Sequence, residues 1–157
     1  MSLQVKTSKV GSDVYLALSG CLDEKCELPE FHDQIAGKLF LNLAGITMIN
    51  SLGSRRWLNW AKDIKAKSGI VLIECSTPFI TQLNVLKNFI PEGAVIESFH
   101  TPYLCQKCNH EEHTLFKVGS PTDVPEKLKC GKCGAQADLD IVKSSYFNFL
   151  KAGKKSA

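Results

Sequence analysis

The sequence predicts an α/β fold: a mixed sheet with helices packed on it, followed by a small four-cysteine metal ribbon. Two observations carry this reading. Short apolar runs of strand character alternate with stretches whose apolar residues recur at helical spacing over roughly the first hundred residues. Beyond them stand two C-x-x-C pairs, Cys105–Cys108 and Cys130–Cys133, separated by 21 residues. At 157 residues, 44% of them hydrophobic and 22% charged, the chain is large enough for one domain and a small appendage.

Taken in order, Gln4 to Val10 reads as a short strand, with Gly11-Ser12-Asp13 as a hairpin turn. Val14 to Leu18 is an apolar strand closing at Ser19-Gly20. Leu28, Phe31 and Ile35 fall on one stripe of an amphipathic helix, which Gly37 would cap. Lys38 to Ile49 resumes as strand. Gly53 to Lys67 reads as a second helix, because Trp57, Trp60, Ala61 and Ile64 follow the helical template, and Ser68-Gly69 ends it. Ile70 to Ile73 is a short strand. Thr77-Pro78 starts a third helix, a hydroxyl N-cap followed by proline, with Ile80, Leu83, Leu86 and Ile90 on one side. Pro91-Glu92-Gly93 breaks it, and Ala94 to Phe99 is the last strand. The order β-β-α-β-α-β-α-β implies parallel strand pairs joined by helical crossovers. The expected organisation is thus an α/β domain over 1–100, a ribbon with a short C-terminal helix over 101–150, and a frayed polar tail over 151–157.

The first residues lack a secretory apolar core and no apolar run is long enough to span a bilayer, so the expected location is the cytoplasm. Seven cysteines in such a reducing compartment point to metal binding rather than disulfides. The net charge of +3 lies entirely beyond residue 99, where 9 Lys face 6 Asp/Glu; residues 1–99 carry 10 basic and 10 acidic groups. Four thiolates and one Zn²⁺ together contribute −2, which leaves that part at about +1. Lys107, Lys129 and Lys132 flank the cysteine pairs and serve to neutralise them. The charge balance therefore argues against a nucleic-acid partner.

In each C-x-x-C pair a tight turn holds two sulfurs within about 4 Å, so that both reach one ion at about 2.3 Å. Gly131 and Gly134 are expected to supply positive φ in the second turn. Four thiolates close a tetrahedron and leave no open position, so the expected ion is a single structural Zn²⁺ held by Cys105, Cys108, Cys130 and Cys133. Iron in a rubredoxin-like site is the alternative, since spacing alone does not separate the two metals. His110 and His113 read as solvated residues rather than further ligands. Cys75 reads as a small buried hydrophobe. Cys21 and Cys26 lack ligand spacing; a redox pair of exposed thiols near a helix start is the alternative reading for them.

The run from Val14 to Asp23, VYLALSGCLD, resembles the strand and G-x-L-D opening of the STAS family, the anti-sigma-factor antagonist domains. The run from Phe40 to Gly53, FLNLAGITMINSLG, resembles that family's central strand and its D-S-S-G helix start. The resemblance covers roughly residues 3 to 100 and implies a STAS-like domain of bacterial type. It also implies Ser51 as the position phosphorylated by a partner kinase that doubles as an anti-sigma factor. Asn50 replaces the family's aspartate and Leu52 its second serine. A hydroxyl at a helix N-terminus faces unpaired N–H groups and a positive dipole end, so a phosphate there is locally tolerated, with Arg55 and Arg56 one turn on. In the plainer reading Ser51 only caps the helix, with Asn50 as the alternative cap. Trp57 and Trp60 are explained as core.

No phosphate-cradling glycine loop and no nucleophile–base set stands in a recognisable context, so the chain is read as non-enzymatic. The expected function is a regulatory module that binds a protein partner around Asn50, Ser51, Leu52, Gly53, Arg55 and Arg56. Two alternatives follow. One is a nucleic-acid-binding accessory protein using the ribbon, for which Tyr103, Phe116, Lys117 and Lys143 are the candidates. The other is a small-ligand or nucleotide sensor.

Overall fold

The structure, a computed structural model, describes residues 2–31, 33–118 and 124–150. Two sheets are laid down one after the other along the chain. The first has strand order β1-β2-β3-β4-β5, built from β1 (Gln4–Val10), β2 (Asp13–Leu22), β3 (Leu39–Ile49), β4 (Ile70–Ile73) and β5 (Val95–Ile96). β1 pairs antiparallel with β2 through the expected turn, and β2 to β5 are parallel neighbours. Side chains alternate across a strand, so Leu16, Leu18, Leu39, Leu41 and Leu72 share one buried face. Against it pack α1 (Ser51–Asp63) and α2 (Thr77–Val85). Trp57 of α1 is fully buried, meets Phe79 of α2 edge-on at 5.4 Å and donates from its indole to the Phe89 carbonyl at 2.6 Å. On the opposite face Tyr15 stacks on Phe40 at 4.3 Å.

The helix expected around Leu28, Phe31 and Ile35 does not form. Pro29 has no N–H and biases Leu28 toward extended backbone. The backbone of this segment is then held by distant partners: the Pro29 carbonyl accepts from the Trp60 indole at 2.7 Å, and Ile35 exchanges hydrogen bonds with Lys65 and Lys67. The apolar residues reach the core from an irregular chain, Ile35 bridging Ala66. Gly37 is therefore no helix cap. A Cβ there would collide with Asp13 and the Ser12 carbonyl, so its role is close approach to the β1–β2 turn.

Other boundaries move for local reasons. β2 runs on to Leu22 instead of closing at Gly20, because Gly20 takes φ +104° and absorbs a register shift against β3. α1 starts at Ser51 and stops at Asp63, short of Lys67; Ile64 stays buried just beyond it. The N-cap position of α2 is Ser76 rather than Thr77, without a capping bond from its hydroxyl, and the helix ends at Val85, after which Asn88 turns through φ 60° and buries Phe89.

The strand expected over Ala94–Phe99 is two strands in two sheets. The N–H of Glu97 donates to Leu72 in the first sheet, while its carbonyl accepts from Val118 in the second. β6 (Ser98–Cys105) follows at once and joins β7 (Glu111–Lys117), β8 (Lys127–Lys129) and β9 (Gln136–Leu139) in the order β7-β6-β9-β8, all antiparallel. The boundary expected at residue 100 thus falls inside β6. The short helix expected near the C-terminus is α3 (Lys143–Tyr146). Phe99 packs edge-on against Phe149 at 5.2 Å, and the Tyr146 hydroxyl donates to the His100 carbonyl at 2.6 Å. The buried apolar cluster is continuous from β2 to Phe149. The 151–157 tail lies outside the described residues. No helix among those described is long and apolar enough to cross a membrane.

Candidate metal centre

Sheet pairing brings the two cysteine pairs together. Cys105 is the last residue of β6 and pairs with Ala137 of β9, while β8 and β9 close the hairpin that carries Cys130 and Cys133. The two turns have the same construction. In each, the N–H of the first cysteine donates to the carbonyl five residues on: Cys105 to His110 at 2.9 Å, and Cys130 to Ala135 at 2.6 Å. In each, the residue four places on donates back to that cysteine's carbonyl: Asn109 at 2.8 Å and Gly134 at 2.9 Å. That returning residue is left-handed in both, φ 59° at Asn109 and 78° at Gly134, the conformation glycine and asparagine tolerate best. Gly131, expected to share this role, has no positive φ. It allows instead the approach of Glu112, whose carboxylate accepts from the Gly131 N–H and would lie 2.8 Å from a Cβ at that position.

The result is a four-sulfur cluster. The sulfurs of Cys105 and Cys133 are 3.5 Å apart, those of Cys108 and Cys130 3.7 Å, and all four lie within 4.8 Å of one another. A tetrahedral ion with 2.3 Å bonds needs sulfur separations of about 3.8 Å, so the donors fit one soft divalent cation. Cys105 and Cys130 are buried, Cys108 is half-buried and Cys133 is exposed. The Cys108 N–H, with help from Cys133 and the Lys107 N–H, holds the Cys105 thiol down at about 7 against desolvation. At Cys108 the His110 N–H acts in the same direction, but burial and the neighbouring sulfurs outweigh it and push the thiol up to about 12. One thiolate therefore forms readily and makes the next harder to form; a cation relieves that crowding and releases protons on binding.

Glu112 is a site residue that sequence reasoning missed. It ties β7 to the second turn through Gly131 and lies 3.6 Å from the His110 ring. Its sequence signal was weak, because the neighbouring Glu111 is equally acidic and only the alternation of β7 decides which carboxylate turns inward. His113 contacts Glu111 at 3.3 Å and the Thr77 hydroxyl at 3.1 Å, and stays exposed. Cys21 and Cys26 are buried, and the helix expected to follow them in sequence does not form, which removes the picture of two exposed thiols. Burial raises the Cys26 thiol, and raises that of the fully enclosed Cys75 further.

The residues around Ser51 form a second, separate surface. Asn50 rather than Ser51 is the N-cap: its side-chain oxygen accepts from the Gly53 N–H at 2.8 Å. Its amide nitrogen donates to Glu24 at 3.0 Å, and this bond holds the Glu24 carboxyl below its ordinary range. Gly53 is buried against the end of β2, where any Cβ would run into the Leu22 carbonyl. Ser51, Leu52, Arg55 and Arg56 are exposed, Leu52 at 51%. Arg56 reaches the Cys26 carbonyl at 3.5 Å.

Tyr103, a candidate for base stacking, is only 1% exposed and donates to the Pro125 carbonyl at 2.6 Å, so it presents no face to a nucleic acid. Compared with family models, curated proteins and solved structures, the chain matches none.

Proposed function

We propose that this chain is a non-enzymatic regulatory module that binds a protein partner at the start of α1, with one structural zinc ion stapling its C-terminal sheet. The observation that carries the binding surface is the arrangement Asn50–Gly53. The cap and the glycine fasten the helix end to β2, which leaves Ser51 and the apolar Leu52 facing solvent side by side. The first turn of α1 contains no acidic residue of its own, and the carboxylate beside it, Glu24, is held on the Asn50 amide. The sheet order and the helix start directly after β3 support the STAS-like reading. That reading makes Ser51 the switch and a kinase-like anti-sigma factor the partner. The zinc supplies no open coordination position; Cys105, Cys108, Cys130 and Cys133 would hold it for folding alone.

Phosphate on Ser51 adds close to two negative charges to the surface that a partner would meet beside Leu52. Ser51→Asp is expected to weaken partner capture at least about tenfold, or about 1.4 kcal/mol. The same change places an acid at a helix N-terminus and should leave stability equal or slightly higher. Ser51→Ala should bind normally. Equal capture by all three proteins in affinity pull-down would remove the switch and leave a constitutive interaction surface.

A further inference from the structure

We propose that two copies of the chain associate edge to edge through β7, extending the C-terminal sheet across a two-fold axis at Thr114. Among the described residues β7 is an edge of that sheet, seven residues long. Its hydrogen-bond phase follows from two bonds at its ends: the Cys105 N–H donates to His110, and the Val118 N–H to Glu97. In an antiparallel ladder bonded pairs recur every second residue, so positions 112, 114 and 116 turn their backbone toward β6. Glu111, His113, Leu115 and Lys117 then direct N–H and C=O outward, where no strand among the described residues meets them.

A second β7 can bond to these groups only if outward-facing residues pair with outward-facing residues. Centring the axis on Thr114 does this over the whole strand. Glu111 then lies opposite Lys117 of the second copy, His113 opposite its Leu115, and Thr114 opposite Thr114. Each bonded pair exchanges two hydrogen bonds. Axes through His113 or Leu115 keep the phase but leave strand ends unpaired and lose the opposite-charge match. Directly opposed residues share a face, so Glu111 and Lys117 form two symmetry-related ion pairs. None of the ion pairs among the described residues uses Lys117. His113 and Leu115, side by side in the pairing, are both exposed in the single chain.

The other free edges do not match themselves in this way. β1 carries Lys6 and Lys9 with no acid, β8 carries Lys127 and Lys129, and β5 has two residues. Lysines on an edge discourage pairing. Of the sheet edges among the described residues only β7 places opposite charges symmetrically about its centre, and the symmetric use of one patch closes the assembly at two copies.

Sedimentation equilibrium of the whole 157-residue chain, loaded with zinc, from low micromolar to about 100 µM, tests this. The expected result is a reversible monomer–dimer equilibrium. Glu111→Lys puts like charges at both ion-pair positions and should weaken the dimer at least about tenfold. The double variant Glu111→Lys with Lys117→Glu restores opposite charges and should recover affinity to within about twofold. Leu115→Pro removes an outward N–H and spares the β6 ladder; it should abolish the dimer with circular dichroism and zinc content unchanged. Should that variant misfold, the charge exchange decides alone. A monomer at every concentration, a dimer indifferent to these changes, or a single reversal that the double variant does not rescue would each overturn the proposal.

Discussion

Asn50 does two things with one side chain, and they can be separated experimentally. Its oxygen caps α1 and its nitrogen fixes Glu24. Asn50→Ala is expected to cost about 1 kcal/mol of stability through the lost cap, measured by chemical denaturation. It should also raise the pKa of Glu24, followed by NMR titration, because the bond that favours the charged form is gone. The sign follows from linkage. A carboxyl whose folded value is depressed stabilises the fold above the ordinary carboxylate range, and that contribution disappears as the pH falls through the folded value. An unchanged Glu24 titration in Asn50→Ala would show that the bond does not persist in solution. Gly53 belongs to the same joint. Gly53→Ala forces a Cβ into the Leu22 carbonyl, so the helix must lift from β2; a loss of about 1–3 kcal/mol is expected, as for overpacked cores.

At the scale of elements, legibility followed how local the cause was. The cysteine turns were readable because the ligand step and the turn share the same few residues. The strand Ile70–Ile73 was readable because it is apolar throughout and buried on one face, whereas Gln4–Val10, exposed along most of its length, was readable from the turn that closes it against Asp13. The false helix around Leu28 to Ile35 shows the converse. Its apolar spacing was real, but Pro29 and backbone bonds to Trp60 and Lys65 came from elsewhere in the fold. The split at Glu97 was hidden for a similar reason, since no turn residue marks it and only the two sheets' hydrogen bonds do. Glu112 is the testable case at this scale. If its carboxylate orients the second turn through Gly131, Glu112→Ala should weaken metal affinity by about 10- to 100-fold in chelator competition, as loss of supporting partners does at metal sites. Glu111→Ala should leave it unchanged, and equal effects of the two would reduce Glu112 to bulk charge. In elemental analysis the wild type is expected to contain about one zinc per chain, since its four sulfurs fill a tetrahedral shell.

For the whole molecule, the question is how far loss of the metal spreads. The Cys130→Ser variant removes one ligand, and in small ribbons the metal supplies much of the folding free energy. The sulfur cluster sits at one end of β6, whereas the other end is fastened to the first sheet. There the Cys75 N–H donates to Ser98, the His100 N–H donates to Cys75, and Phe99 packs among Phe116, Phe147 and Phe149. Amide exchange in Cys130→Ser is therefore expected to accelerate in the hairpin tips around 105–111 and 127–137, while Ile70–Ile73 and the start of β6 remain protected. Phe99→Ala makes the complementary forecast. It empties the joint between the sheets and should cost about 3–5 kcal/mol, and exchange should rise on both sides of Glu97 even with the four-cysteine site loaded with metal. If Cys130→Ser exposes Ile70–Ile73 as fully as the tips, the metal stabilises the entire chain as one cooperative unit. If instead Phe99→Ala loosens only β6 to β9, the continuous apolar cluster does not couple the two sheets energetically, and polar contacts such as those at Cys75, Glu97 and Thr77–His113 carry the joint.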